Sequence, residues 1–152
     1  MTAVLLSIHV LAAIVFVGPV TVATSMFPRY ARAALAGEGP AAPVTLLHRI
    51  SRVYAVLAIA VPVFGLGTAV AMGVLGDAWL IASLVLTAAA AALLGLRILP
   101  AQAEVVAALS TEDDPRAVVA ARRLSMTSGV FALLWGVVVV LMIVRPGSTT
   151  GV

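Results

Sequence analysis

The 152-residue sequence has no cysteine and no lysine, and only 10% of its residues are charged. Without cysteine there is no disulfide, no thiolate metal site and no cysteine nucleophile. All nine basic residues are arginine, set against six acids, for a formal net charge of +3. No Asp or Glu falls inside any long apolar run. A proton-coupled small multidrug exporter needs such a membrane carboxylate, so that class is disfavoured. There is no Ser/His/Asp arrangement, no two-histidine zinc motif and no glycine-rich phosphate loop.

What the chain has in abundance is hydrocarbon. Hydrophobic residues make up 63%, and the mean hydropathy is +1.21. Soluble domains are about half apolar and about a quarter charged. A soluble fold of this size leaves too much surface exposed to hide so many apolar side chains. An ordinary soluble enzyme, a disordered chain and a nucleic-acid module are thereby excluded, despite a pI near 10.6. A polytopic membrane protein remains.

A spanning helix needs about 20 mostly apolar residues, because the hydrocarbon core is about 30 Å thick and each residue rises about 1.5 Å. Four segments qualify, at about residues 4–27, 53–75, 79–99 and 126–144. Three are uncharged, and the third carries only Arg97, near its end. The runs are long and unalternating, which excludes a β-barrel. The first run lacks the positive n-region and cleavage site of a signal peptide and is read as a retained helix. The expected fold is all-α: a single-domain, antiparallel bundle of four transmembrane helices.

Orientation follows from the arginines. Arg29, Arg32, Arg49 and Arg52 flank the first connection, and Arg97, Arg116, Arg122 and Arg123 flank the third. Only Arg145 lies at the other side. The positive-inside rule puts these two connections in the cytoplasm and both termini outside, for a multi-pass protein of the inner (plasma) membrane. Seven of the arginines (Arg29, Arg32, Arg49, Arg52, Arg97, Arg122 and Arg123) are read as membrane-interface residues, with Arg97 snorkelling. Trp79 is placed in the outer aromatic belt. Asp114 and Pro115 read as the N-cap and first residue of a helix. Pro19 and Pro62 should kink their spans, and Pro100 should bend or end the third. Small residues four apart (Gly65, Ala69, Gly73; Thr87, Ala91, Gly95; Ser128, Ala132, Gly136) offer faces for close helix packing or for a second copy.

Polar groups within hydrocarbon are functional candidates by default. His9 is the only ionisable residue well inside a span apart from Arg97. Its neutral imidazole suits haem iron or copper. Met72 and Met142 fall at a similar outer depth, so His/Met ligation of haem b, or of Cu(I), is one reading of the three. The other is structural: methionines fill gaps, and a lone histidine hydrogen-bonds a backbone carbonyl or a nearby serine. His48 belongs at the opposite interface, too far away to share a cofactor with His9. Trp135 lies mid-span, where its N–H needs a partner.

The first helix, Leu6-Ser7-Ile8-His9-Val10-Leu11-Ala12-Ala13-Ile14-Val15-Phe16-Val17-Gly18, resembles the opening helix of small bacterial four-helix membrane proteins. These include an uncharacterised predicted integral-membrane family, the copper-resistance D-type membrane domain and the HemJ-type protoporphyrinogen oxidase. The ending Leu141-Met142-Ile143-Val144-Arg145-Pro146-Gly147 looks most like the first of them. The resemblance implies a four-helix bundle and, by analogy with the oxidase type, a haem ligand at His9. That type also uses a membrane lysine, which this chain lacks, so the oxidase activity is not implied. The expected role is a non-enzymatic accessory or scaffold whose partners are the bilayer, a second copy or a larger membrane complex. Haem binding and copper handling are the alternatives.

Overall fold

The computed structural model describes residues 1–111 and 115–147. Among them there is no strand. Four helices are long and apolar enough to cross a membrane: α1 (Thr2–Leu35), α2 (Ala42–Met72), α3 (Ala78–Ala108) and α4 (Pro115–Val144). Each runs past its apolar segment at the end that carries the arginines. Helix α1 continues beyond Phe27 through Arg29 and Arg32, α2 starts well before Val53, α3 continues beyond Leu99, and α4 starts well before Met126. Pro115 is the first residue of α4, as expected, whereas the proposed cap Asp114 lies outside the described residues. So do Glu112, Asp113 and the tail beyond Gly147.

Three prolines leave three irregular turns, each just N-terminal to the ring. A proline cannot donate to the carbonyl four residues back and pushes it away, so the preceding turn must rearrange. Before Pro19 the backbone widens into a π turn at Ala13–Val17, and before Pro100 into another at Leu94–Ile98. Before Pro62 the helix breaks at Ala58 and Ile59, where the Val61 N–H tightens onto the Ala58 carbonyl at 3.0 Å. Pro100 therefore does not end α3. The wide turn absorbs it, and the helix runs on to Ala108.

The two ends of the molecule pack differently. At the arginine-bearing end, the second half of α1, the first half of α2, the second half of α3 and the first half of α4 form a closed ring of contacts. Phe27, Ala31, Val44, Ile98, Val105, Ala121, Leu124 and Phe131 fill it. At the other end the first half of α1 packs on the second half of α2, and the first half of α3 packs on α4. Between these two pairs lies a cavity.

The interior mixes large side chains with alanine, serine and threonine, and most of it lies off the expected small-residue spacings. The inward face of α4 is Ala117, Ala121, Leu124, Ser128, Phe131 and Val138, a spacing of mostly three and four residues that holds one face toward its neighbours. Ala132 is half-buried and Gly136 exposed, and on α3 both Ala91 and Gly95 are exposed. On α2, Ala69 is buried, but Gly73 has a φ of 70° and caps the helix in the left-handed conformation. No more than 28% of any of the four apolar windows is buried within the protein. Leu11, Val63, Val85, Leu96, Leu133 and Val140 stand on the outside. So continuous an apolar surface is stable only in contact with lipid.

Candidate functional site

The cavity between the helix pairs has a volume of about 610 Å³. That lies within the range of sites that enclose a small molecule or cofactor, about 300–1,000 Å³. All four helices contribute to its wall, which is almost entirely apolar. Its polar groups are few: His9 on α1, Thr87 on α3, Trp135 on α4 and Arg145 just past α4.

His9 is held from behind. Its Nδ1 lies 2.9 Å from the carbonyl oxygen of Val61 on α2. A carbonyl oxygen only accepts, so Nδ1 carries the hydrogen and donates it. In the neutral ring Nε2 then keeps its lone pair, and it has no hydrogen-bond partner among the described residues. The imidazole lies against Gly65, one turn beyond Val61. A Cβ at Gly65 would sit 2.7 Å from His9 Cε1 and 3.0 Å from Nδ1. The glycine therefore makes the seat, and the carbonyl fixes the ring and its tautomer. A ligating histidine is commonly oriented by such a contact on its other nitrogen.

Of the two methionines read alongside His9, Met142 lines the cavity and Met72 does not. Met142 also packs against the cluster of Ala69, Trp79 and Leu80. Among the described residues no group of three or more His, Asp or Glu side chains is placed to hold a metal ion. Trp79 is 5% exposed, so its ring is packed inside the protein, and its Nε1–H donates to Asp77 Oδ2 at 2.9 Å. The Arg145 guanidinium lies over the Trp79 ring at 5.5 Å, and its Nε–H donates to the Met142 carbonyl at 3.2 Å. That carbonyl is one of those a helix C-terminus leaves unpaired. Arg145 is thereby positioned on the cavity rim although its φ of 44° is unusual for a side-chain-bearing residue.

The second histidine is remote. His48 is half-buried, and its Nδ1 lies 3.2 Å from Oε1 of the fully buried Gln102. His48 and Val61, the residue that holds His9, lie thirteen positions apart on α2. That is about 20 Å of helix, too far for one haem to be held by both. Arg29, Arg49, Arg52, Arg97, Arg122 and Arg123 are exposed at the closed end and make no ion pair among the described residues. Arg32, also exposed there, donates to Ser125 Oγ at 3.3 Å. Trp135 Nε1, Ser128 Oγ and Gln102 Nε2 are buried without partners among the described residues. The Trp135 ring is braced edge-on by Phe131, at 6.4 Å and 77°.

Compared with family models, curated proteins and solved structures, the chain matches none. The reading of the site rests on its geometry.

Proposed function

We propose that this chain is a multi-pass protein of the inner membrane that binds haem b between its helix pairs, with His9 as axial ligand, and that it is a carrier rather than a catalyst. One observation supports this above all. A histidine in a span is fixed through Nδ1, and its unpartnered Nε2 belongs to a residue that lines an apolar cavity of about 610 Å³. The chemistry of the lining fits the group. The walls suit an apolar macrocycle, Arg145 offers positive charge to a propionate at the rim, and Met142 is the thioether on the same cavity. Bound haem b would supply one-electron redox chemistry. The chain's own part is to orient the imidazole, exclude water and neutralise the acidic edge. Copper is less well supported, because Met72 lies outside the cavity and the remaining set is one imidazole and one thioether.

The test is the visible spectrum of protein purified in mild detergent from haem-replete cells. The wild type should carry a Soret band at close to one haem per chain, and His9→Ala should lose it while Met72→Ala keeps it. A colourless wild-type protein would return the chain to a scaffold or accessory role.

For topology we propose antiparallel helices with both termini outside. This reading draws support from the single closed end that gathers Arg29, Arg32, Arg49, Arg52, Arg97, Arg122 and Arg123. A reporter inserted at Gly39 should register as cytoplasmic and one placed after Val152 as external. The reverse pattern would overturn the sidedness.

A further inference from the structure

A second hollow, of about 370 Å³, lies between α2 and α3 on the side of the closed end. Its walls are apolar, and they include both irregular turns that face each other there: Ala58 and Ile59 before Pro62 on α2, and Leu94 and Gly95 in the π turn of α3. These turns, the small side chain of Ala91 and the missing one of Gly95 leave the groove open. The first half of α2 packs on the second half of α3 at the closed end of the bundle. From Arg52 to Pro62 the groove follows α2 for ten residues, about 15 Å, or half of a hydrocarbon core of about 30 Å. Its length is that of one leaflet.

The groove has one charged group, at one end. Arg52 lines it, is exposed, and makes no hydrogen bond or ion pair among the described residues. A cation at the headgroup end of a leaflet-long apolar channel is complementary to one class of molecule: an anionic amphiphile. Guanidinium binds phosphate oxygens through paired N–H donors. We propose that this groove is a binding site for one acyl chain of an anionic phospholipid, with the lipid phosphate held by Arg52. The groove adjoins the His9 cavity, with Pro62, Thr87 and Trp135 in the walls of both, but its charged end at Arg52 belongs to it alone.

Native mass spectrometry of the full chain, released from nanodiscs with equal amounts of phosphatidylglycerol and phosphatidylcholine, tests this. The wild type should retain phosphatidylglycerol in preference by about five-fold, the effect of one basic group near an anionic headgroup. Arg52→Gln should bring the ratio close to one. Arg49→Gln, which removes an exposed arginine outside the groove, should leave the preference intact. Gly95→Leu, which fills the groove where no atom lies within 4 Å of the new Cβ, should lower retention of both lipids. Absence of any preference in the wild type would overturn the proposal. So would equal losses in Arg52→Gln and Arg49→Gln, since that result marks diffuse surface charge. Retention unchanged by Gly95→Leu would show that the lipid lies elsewhere.

Discussion

Gly65→Ala should destabilise the protein and, on the proposed function, abolish haem binding, although the same change in a helix ordinarily stabilises. Replacing a mid-helix glycine with alanine stabilises by about 0.5–1 kcal/mol, because alanine loses less backbone freedom on folding. Gly67, two residues on in the same helix, has nothing within 4 Å of a new Cβ and should show that ordinary gain. At Gly65 the new methyl falls 2.7 Å from His9 Cε1 and 3.0 Å from Nδ1. The ring must leave its seat, and the 2.9 Å hydrogen bond to Val61 goes with it. Overpacking of this kind costs about 1–3 kcal/mol, and a lost hydrogen bond about 1 kcal/mol more. The thermal midpoint in detergent should therefore fall by several degrees in Gly65→Ala and hold or rise in Gly67→Ala. The Soret band should weaken or vanish in the first and persist in the second, with His9 still present in both. Two alanine variants that behave alike would mean that the imidazole is not seated on Gly65.

Neither half of that seat announces itself in the sequence. Hydropathy finds the four spans because twenty apolar residues in a row leave a strong local signal, and the lone histidine among them stands out for the same reason. The Val61 carbonyl leaves no such trace. It is a backbone atom, it lies 52 positions from His9, and any residue type would supply it. Gly65 is visible only as one member of a small-residue spacing, which points to helix packing. The structure shows that its missing side chain makes room for a ring. Met72 and Met142 look equivalent by depth. Met72 lies seven residues beyond Gly65 on nearly the same face of α2, so about 10 Å of helix rise carries it past the cavity wall that Met142 reaches, a difference in depth too fine for hydropathy to mark.

Span and helix differ in length for a related reason. Hydropathy marks where oil ends, whereas a helix ends where its backbone bonds end. The extensions through Arg29, Arg32, Arg49 and Arg52 keep an apolar stripe on one side and stay helical after the apolar run has stopped. Of the two outcomes expected at Pro100, a bend or an end, the end does not occur. The rule that proline breaks helices assumes regular bonding, and the π turn at Leu94–Ile98 removes the conflict at the cost of one wide turn. The two wide turns and the break before Pro62 border the two hollows, so the residues that disturb the helices also make the space between them.

Leu133→Arg should distinguish lipid from water around the spans more sharply than any other single change. Leu133 sits in the middle of the apolar stretch of α4, is 68% exposed, and packs into neither core cluster nor cavity. On a water-facing helix the substitution would be close to neutral, since arginine is a good helix former and no packing is lost. In hydrocarbon, an arginine at mid-span costs about 2.5–3.5 kcal/mol on insertion scales. Leu133→Ala should be nearly silent, because one apolar surface facing lipid replaces another. Val118→Arg, on the arginine-bearing extension of the same helix, should also be tolerated. The yield of membrane-inserted, protease-protected protein measures all three. A steep loss confined to Leu133→Arg marks the depth of the oil along α4. Equal tolerance of arginine at positions 118 and 133 would mean that this face of the helix is wet, and the helix pairs would then enclose a cavity open to water, in which an apolar macrocycle has no reason to lodge.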